Sequence, residues 1–273
     1  MIIAQITDTH VRAGGRIAYG LVDTAAMLEA VVAHVNSLRP IVDTVIVTGD
    51  LTDRGKPEEY AAVRSILGKL SMPWHVVPGN HDDRDNFLKA FFDHKYLAGS
   101  GNFVHYAVEN QPLRLIGVDT TNPGEPHGFL PPERLKWLGE CLCSAPYKPT
   151  MLFMHHPPFE TGIRHMDVQN LLNADDLFAI LSDHSQVLHV ACGHVHRASE
   201  TCIDGIAVSI APNAAHSSTL DLDPDGPSSF TMDPPAIRLF RFSDDCKLVT
   251  HLSFIGKFDG PHPYFYPNGE LVD

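Results

Sequence analysis

The chain has 273 residues, enough for one large domain with a full hydrophobic core and no need of disulfide staples. Its 44% hydrophobic and 19% charged residues fit a soluble globular protein and exclude a disordered or fibrous one. Twenty Lys+Arg against 33 Asp+Glu give a formal charge of −13, and with no local basic stripe a nucleic acid polymer is excluded as the main partner.

No run reaches the roughly 18 apolar residues of a membrane span, so no membrane partner is expected. The N-terminal "MIIAQITDTH" has neither basic leader nor cleavage site, which reads as a cytoplasmic protein. The five Cys are odd in number and irregularly spaced, as reduced thiols are.

In chain order, "MIIAQIT" reads as a buried strand and residues 22–38 as a helix, from apolar residues at helical spacing. "VDTVIVT" is a β-branched strand; Pro57 then opens a helix with acidic residues in its first turn, and "PWHVVP" is a third strand. This alternation implies βαβ units and a parallel sheet. From "NFVHYAVE" and "LRLIGVDT" onward strands come in adjacent pairs, consistent with antiparallel additions. Helices at "PPERLKWLGECL" and near 174–182 flank "TMLFMHH", which leads on to "QVLHVACGHVH". "GIAVSIA", "AIRLFRF" and "CKLVTHLSF" complete the strands. Between them "LDLDPDGPSSFTMDPP" reads as an irregular cap.

Five polar clusters each follow an apolar strand-like run: "DTH" (8–10), "GDLTDRG" (49–55), "GNHDD" (79–83), "MHHPP" (154–158) and "GHVH" (193–196). Ligands in α/β sheets gather beyond the carboxyl ends of strands, so these five can converge on one cleft. Alternation along an extended segment would put Asp8 with His10, and His194 with His196, on a common side. Mixed carboxylate and imidazole donors suit Zn, Mn or Fe. The candidates are too many for one tetrahedral ion, and two ions sharing Asp50 is the economical arrangement, with Gly49 allowing close approach. His75, His94, His105, His184, His251 and His262 fall outside the clusters and read as packed or solvated. Asp82 and Asp83 read as caps of the helix that follows them.

Together the pieces D-x-H, G-D, G-N-H-[DE], an H near Pro, and G-H-x-H resemble the calcineurin-like metallophosphoesterases. Within that family "RIAYGLVD", "GKPEEY", "MHHPP" and "CGHVH" are similar to the bacterial glycerophosphodiesterase and class III cyclic-nucleotide phosphodiesterase branch. The resemblance implies an α/β fold, a four-layer α/β/β/α sandwich over residues 1–255 with the metals at its edge. A small irregular cap or oligomerisation excursion at about 215–236 and an extension at 256–273 complete it. It implies two transition-metal ions (Mn, Fe, Zn or Co), one on Asp8, His10 and His196, the other on Asn80, His155 and His194, with Asp50 bridging. In "MHHPP" the first His, not His156, is the implied ligand.

His81 would serve the phosphate or the leaving oxygen; Asp53 would orient it, and Arg54 would grip phosphate. Tyr19 and His216 fall where the family's substrate pocket lies. The implied activity is hydrolysis of small phosphodiesters (glycerophosphodiesters or cyclic nucleotides) by a hydroxide that the metals activate. The "DRG" element favours a phosphomonoesterase or phosphoprotein phosphatase as the alternative, ahead of a metal-stabilised scaffold without turnover. At least a dimer is expected, with 215–255 as interface or pocket lid.

Overall fold

A computed structural model describes residues 1–98 and 101–272. Among the described residues there are thirteen strands and six α-helices, and strands and helices alternate through the first two thirds of the chain. The first sheet holds β1 (Ile2–Ile6), β2 (Thr44–Thr48) and β3 (Trp74–Val77) as a parallel core. The second holds β4 (Tyr106–Val108), β5 (Arg114–Gly117), β6 (Thr150–Phe153), β7 (Val187–Cys192), β8 (Ser199–Ile203) and β9 (Ile206–Ile210) in the order β4-β5-β6-β7-β9-β8. β10 (Ser217–Ser218) and β11 (Phe230–Thr231) form a separate hairpin. β12 (Ala236–Phe242) and β13 (Leu248–Phe254) return antiparallel to the β1 edge of the first sheet.

The helices are α1 (Thr24–Ser37), α2 (Pro57–Leu67), α3 (Arg84–Ala90), α4 (Pro132–Cys143), the single turn α5 (Arg164–Asp167) and α6 (Ala174–Leu181). α1 starts where the Asp23 carboxylate accepts from Ala26 N, and it buries Leu28, Val31, Val32 and Val35 along one face. In α2, Pro57 sits at the first turn, and Glu59 reaches back to accept from the backbone N–H of Lys56 and Arg54.

Strand alternation divides the core into layers. On β6, Met151 and Phe153 pack with the first sheet and its helices, whereas Leu152 and, just past the strand, Met154 pack with α4 and α6. The result is helices, sheet, sheet, helices, the expected four-layer sandwich. The expected antiparallel additions hold for β4 on β5, β8 on β9 and the β12–β13 pair, and are corrected for β5, β6, β7 and β9, which are mutually parallel. Crossovers through α1 and α2 in the first sheet and through α4 and α6 in the second separate parallel strands, and β8 carries the chain from β7 back to the parallel β9. The expected irregular cap contains the β10–β11 hairpin. Residues 256–272 lie on the surface, with Phe258, Tyr264, Phe265 and Tyr266 exposed. Among the described residues no helix is long and apolar enough to cross a membrane.

Candidate metal centre and cleft

The five polar clusters do meet. Each leaves the carboxyl end of a parallel strand: β1 for Asp8 and His10, β2 for Asp50, β3 for Asn80 and His81, β6 for His155, and β7 for His194 and His196. The local conformation is not the extended one expected. Asp8, His10, Asp50, His194 and His196 all have positive φ, of 53°, 41°, 48°, 73° and 59°. Such backbone costs about 1–3 kcal/mol at each residue and persists only where surrounding contacts impose it. Asp8 N donates to Gly49 O, His10 N to Asp50 O, and His194 N to both Asp8 oxygens, so the loops lock one another. A Cβ on Gly79 would collide with the Asp50 carboxylate, and one on Gly193 with Thr7 Oγ1, which is why these turns need glycine.

Two groups of donors result. His10 Nε2 lies 3.1 Å from His196 Nε2, which is 3.3 Å from Asp8 Oδ1. His155 Nε2 lies 3.0 Å from Asn80 Oδ1 and 3.2 Å from His194 Nδ1. Asp50 Oδ2 stands between the groups, 3.6 Å from His10 Nε2 and 3.4 Å from His155 Nε2. Its other oxygen accepts from His81 N at 2.8 Å. His155 donates from Nδ1 to the Thr48 carbonyl at 2.8 Å, which leaves the Nε2 lone pair to the centre. His156 also comes near, yet Thr120 Oγ1 and Pro126 O engage both its nitrogens, so it has no lone pair to offer.

This donor set fits cations. Lone pairs on buried imidazole nitrogens face one another and two carboxylates, and His10 Nδ1 and His194 Nε2 are buried without hydrogen-bond partners. At His155 the carboxylates favour positive charge: burial opposes protonation, but Asp50 overcomes it and lifts the imidazole to about 9. Burial, then the neighbouring His155, lowers His194 to about 3. Both Asp8 and Asp50 stay below the ordinary carboxylate range despite burial, because the surrounding imidazoles offset it.

His81 projects toward the cleft; its pKa is raised, chiefly by the Asp50 carboxylate. It donates from Nδ1 to the main-chain oxygen of Asp53 at 3.0 Å. The Asp53 carboxylate instead meets Arg12 Nε and Arg54 Nε, both at 3.5 Å, and points toward His10 Nδ1 at 4.0 Å. The Arg54 side chain is 58% exposed and does not line the cleft. Asp82 departs from its expected role. Asp83 alone caps α3, accepting from Asn86 N, while Asp82 takes donors from the loops after β2 and β3.

The cleft above the donors encloses about 480 Å³. Tyr19 and His216 line it, with ring centroids 5.3 Å apart, and Phe230 of the hairpin extends that aromatic wall. His165, Met166 and Gln169 of the α5 region also line the cleft, as do Ser218, Ser228 and Ser229 of the hairpin beside Phe230. Sequence reasoning missed these, and it missed Asn213, which donates to Asp8 O and lies 3.0 Å from His196 Nδ1. None sits in a recognisable spacing; the four polar residues after β9 in "APNAAHSS" were the one available signal.

A family model for calcineurin-like phosphoesterases matches residues 1–198. A probable glycerophosphodiester phosphodiesterase of Arcobacter nitrofigilis is 41% identical over 274 residues, covering 100% of both chains. A probable cyclic nucleotide phosphodiesterase of Rhodopseudomonas palustris is 36% identical over 264 residues, or 96% of this chain and 94% of the relative. Among solved structures, a dimetal phosphatase from Danio rerio superposes with a TM-score of 0.65 at 16% identity, over 93% of this chain and 98% of that one, a likeness of fold.

Proposed function

The chain belongs to the calcineurin-like phosphoesterase family, and from that footing we propose that it hydrolyses small phosphodiesters, glycerophosphodiesters first and cyclic nucleotides second. The names borne by the two relatives above support both substrate classes. The observation that carries the reading is a pair of donor groups joined through Asp50 at the floor of one cleft. Asp8, His10 and His196 would hold one ion, and Asn80, His155 and His194 a second, with Asp50 shared. Manganese, iron, zinc and cobalt all suit such donors. When bound, these ions supply Lewis acidity at the phosphoryl oxygens and a nucleophile at neutral pH.

The remaining work falls to side chains. His81, held through Nδ1 by the Asp53 carbonyl, keeps Nε2 for the cleft and in its charged form can protonate the departing alkoxide. The aromatic wall of Tyr19, His216 and Phe230 offers a face to the organic substituent, while the Ser and Gln side chains of the lining can pair with its hydroxyls. Among the described residues that line the cleft there is neither Lys nor Arg. A diester carries one negative charge and a monoester up to two, so this lining favours the diester. Arg54 would have to leave Asp53 to grip a phosphate, which makes a monoesterase the second reading.

The test is a comparison of kcat/KM on manganese-loaded protein for an aryl diester, an aryl monoester, cyclic AMP and glycerophosphocholine. The diester is expected to exceed the monoester by about tenfold or more. Exhaustive chelation should abolish turnover and added Mn or Co restore it. Turnover that survives chelation would sink the two-ion reading, and a monoester preference would sink the diesterase.

A further inference from the structure

His10 poses a problem that His155 solves and it does not. An imidazole that lends Nε2 to a cation carries its proton on Nδ1, and that N–H needs an acceptor when buried. His155 has the Thr48 carbonyl for this. His10 is 1% exposed and its Nδ1 has no hydrogen-bond partner. A carboxylate waits nearby: Asp53 Oδ1, at 4.0 Å. Asp53 Oδ2 is drawn the other way by two guanidiniums, Arg12 Nε and Arg54 Nε, each at 3.5 Å. Arg12 Nε is itself buried and has no hydrogen bond beyond this ionic contact. The two arginines thus fix the Asp53 side chain by one oxygen and leave the other aimed at His10. His81 does not compete for it, because its Nδ1 is taken by the main-chain oxygen of Asp53 at 3.0 Å.

We propose that the Asp53 carboxylate is a positioning group for His10. Through the Nδ1–H it sets the tautomer and ring orientation that present Nε2 to a cation held with Asp8 and His196. The inference rests on the metal-binding reading above and adds a division of labour within one residue: the carbonyl of Asp53 serves His81, and its carboxylate serves His10. Substitution of the side chain therefore separates the two, since any residue at 53 keeps the carbonyl.

Mn²⁺ alone is the probe, titrated calorimetrically into metal-free protein, with free Mn²⁺ followed by electron paramagnetic resonance. Wild type should show two binding steps. Asp53→Asn keeps an acceptor oxygen without the charge, and Asp53→Ala removes both. Each should weaken one step by about 10- to 100-fold, Ala no less than Asn, with the other step nearly unchanged. His81→Ala should leave both steps intact. Two unaltered steps in both Asp53 variants would overturn the proposal. Equal weakening of both steps would overturn it too, by making Asp53 a support of the whole centre. Failure of wild type to bind Mn²⁺ would instead overturn the metal-binding reading, before any variant is compared. Thermal unfolding of the metal-free variants shows whether each is folded, and Asp53→Glu, which restores a carboxylate, should recover part of the lost affinity if the role is positioning.

Discussion

His81 illustrates how position separates two imidazoles that the sequence sets almost side by side with ligands. It follows Asn80 directly, yet its main-chain N–H is bound to Asp50 Oδ1 and its Nδ1 to Asp53 O, so only Nε2 remains to act. His155, by contrast, is fully buried with Nε2 inside the donor group. In the proposed diesterase, His81→Ala is expected to lower kcat by about 10²-fold or more while metal content, measured by inductively coupled plasma spectrometry, stays at the wild-type value. Metal loss as large as that of Asp50→Ala would make His81 a ligand. Asn80 shows the converse. Its oxygen lies 3.0 Å and 3.1 Å from His155 Nε2 and His194 Nδ1, which suits a neutral ligand that leaves its ion more electrophilic than a further carboxylate would.

Between elements, Asp82 is the fastener. It accepts from Leu51 N, Thr52 N, Thr52 Oγ1, Gly79 N and Tyr60 Oη, joining the loops after β2 and β3 to α2 beneath Asp50 and Asn80. Asp82→Ala would leave several of these donors buried and unpaired, a loss of about 3 kcal/mol by urea unfolding. A loss below about 1 kcal/mol would mean that water replaces the carboxylate. The sequence reading put Asp82 with Asp83 as a cap, because a cap is a local signal and Asp82's partners lie up to 31 residues away. The same distinction explains what else was legible. β1, α1, β2, α2 and β3 announce themselves by period and by punctuation at Asp23 and Pro57, and the polar clusters stand at strand ends in plain order. Parallel pairing of β5, β6, β7 and β9 is a property of crossovers, which apolar runs do not encode. β8 is a mostly exposed edge strand with little apolar pattern, and the left-handed backbone at Asp8 and His10 arises from contacts between loops, not from either tripeptide.

Across the whole molecule, the facing sheets bury two further histidines that take no part in the centre. His75 of β3 packs between Tyr96 and Tyr106, with ring centroids 4.8 Å and 6.4 Å away. His189 of β7 packs on Phe240 of β12 and shares a 2.7 Å hydrogen bond with Ser209 Oγ. Burial lowers His75 to about 4, aided by His94, and His189 to about 3, aided by the Arg238 charge. In the unfolded chain both return to about 6.5. The folded pKa is thus the lower one: stability is whole above pH about 6.5 and falls as the unfolded chain takes up protons that the fold refuses. The slope is about 1 kcal/mol per pH unit for each residue, or about 4 kcal/mol for the pair between pH 6.5 and 4.5. Metal-free protein removes cation release from the comparison, and both positions lie outside the donor clusters. Urea midpoints from pH 7 to 4.5 should therefore fall less steeply in His75→Gln/His189→Gln than in wild type. Equal slopes would mean that the two imidazoles accept protons within the folded molecule, and that the seam between the sheets admits charge.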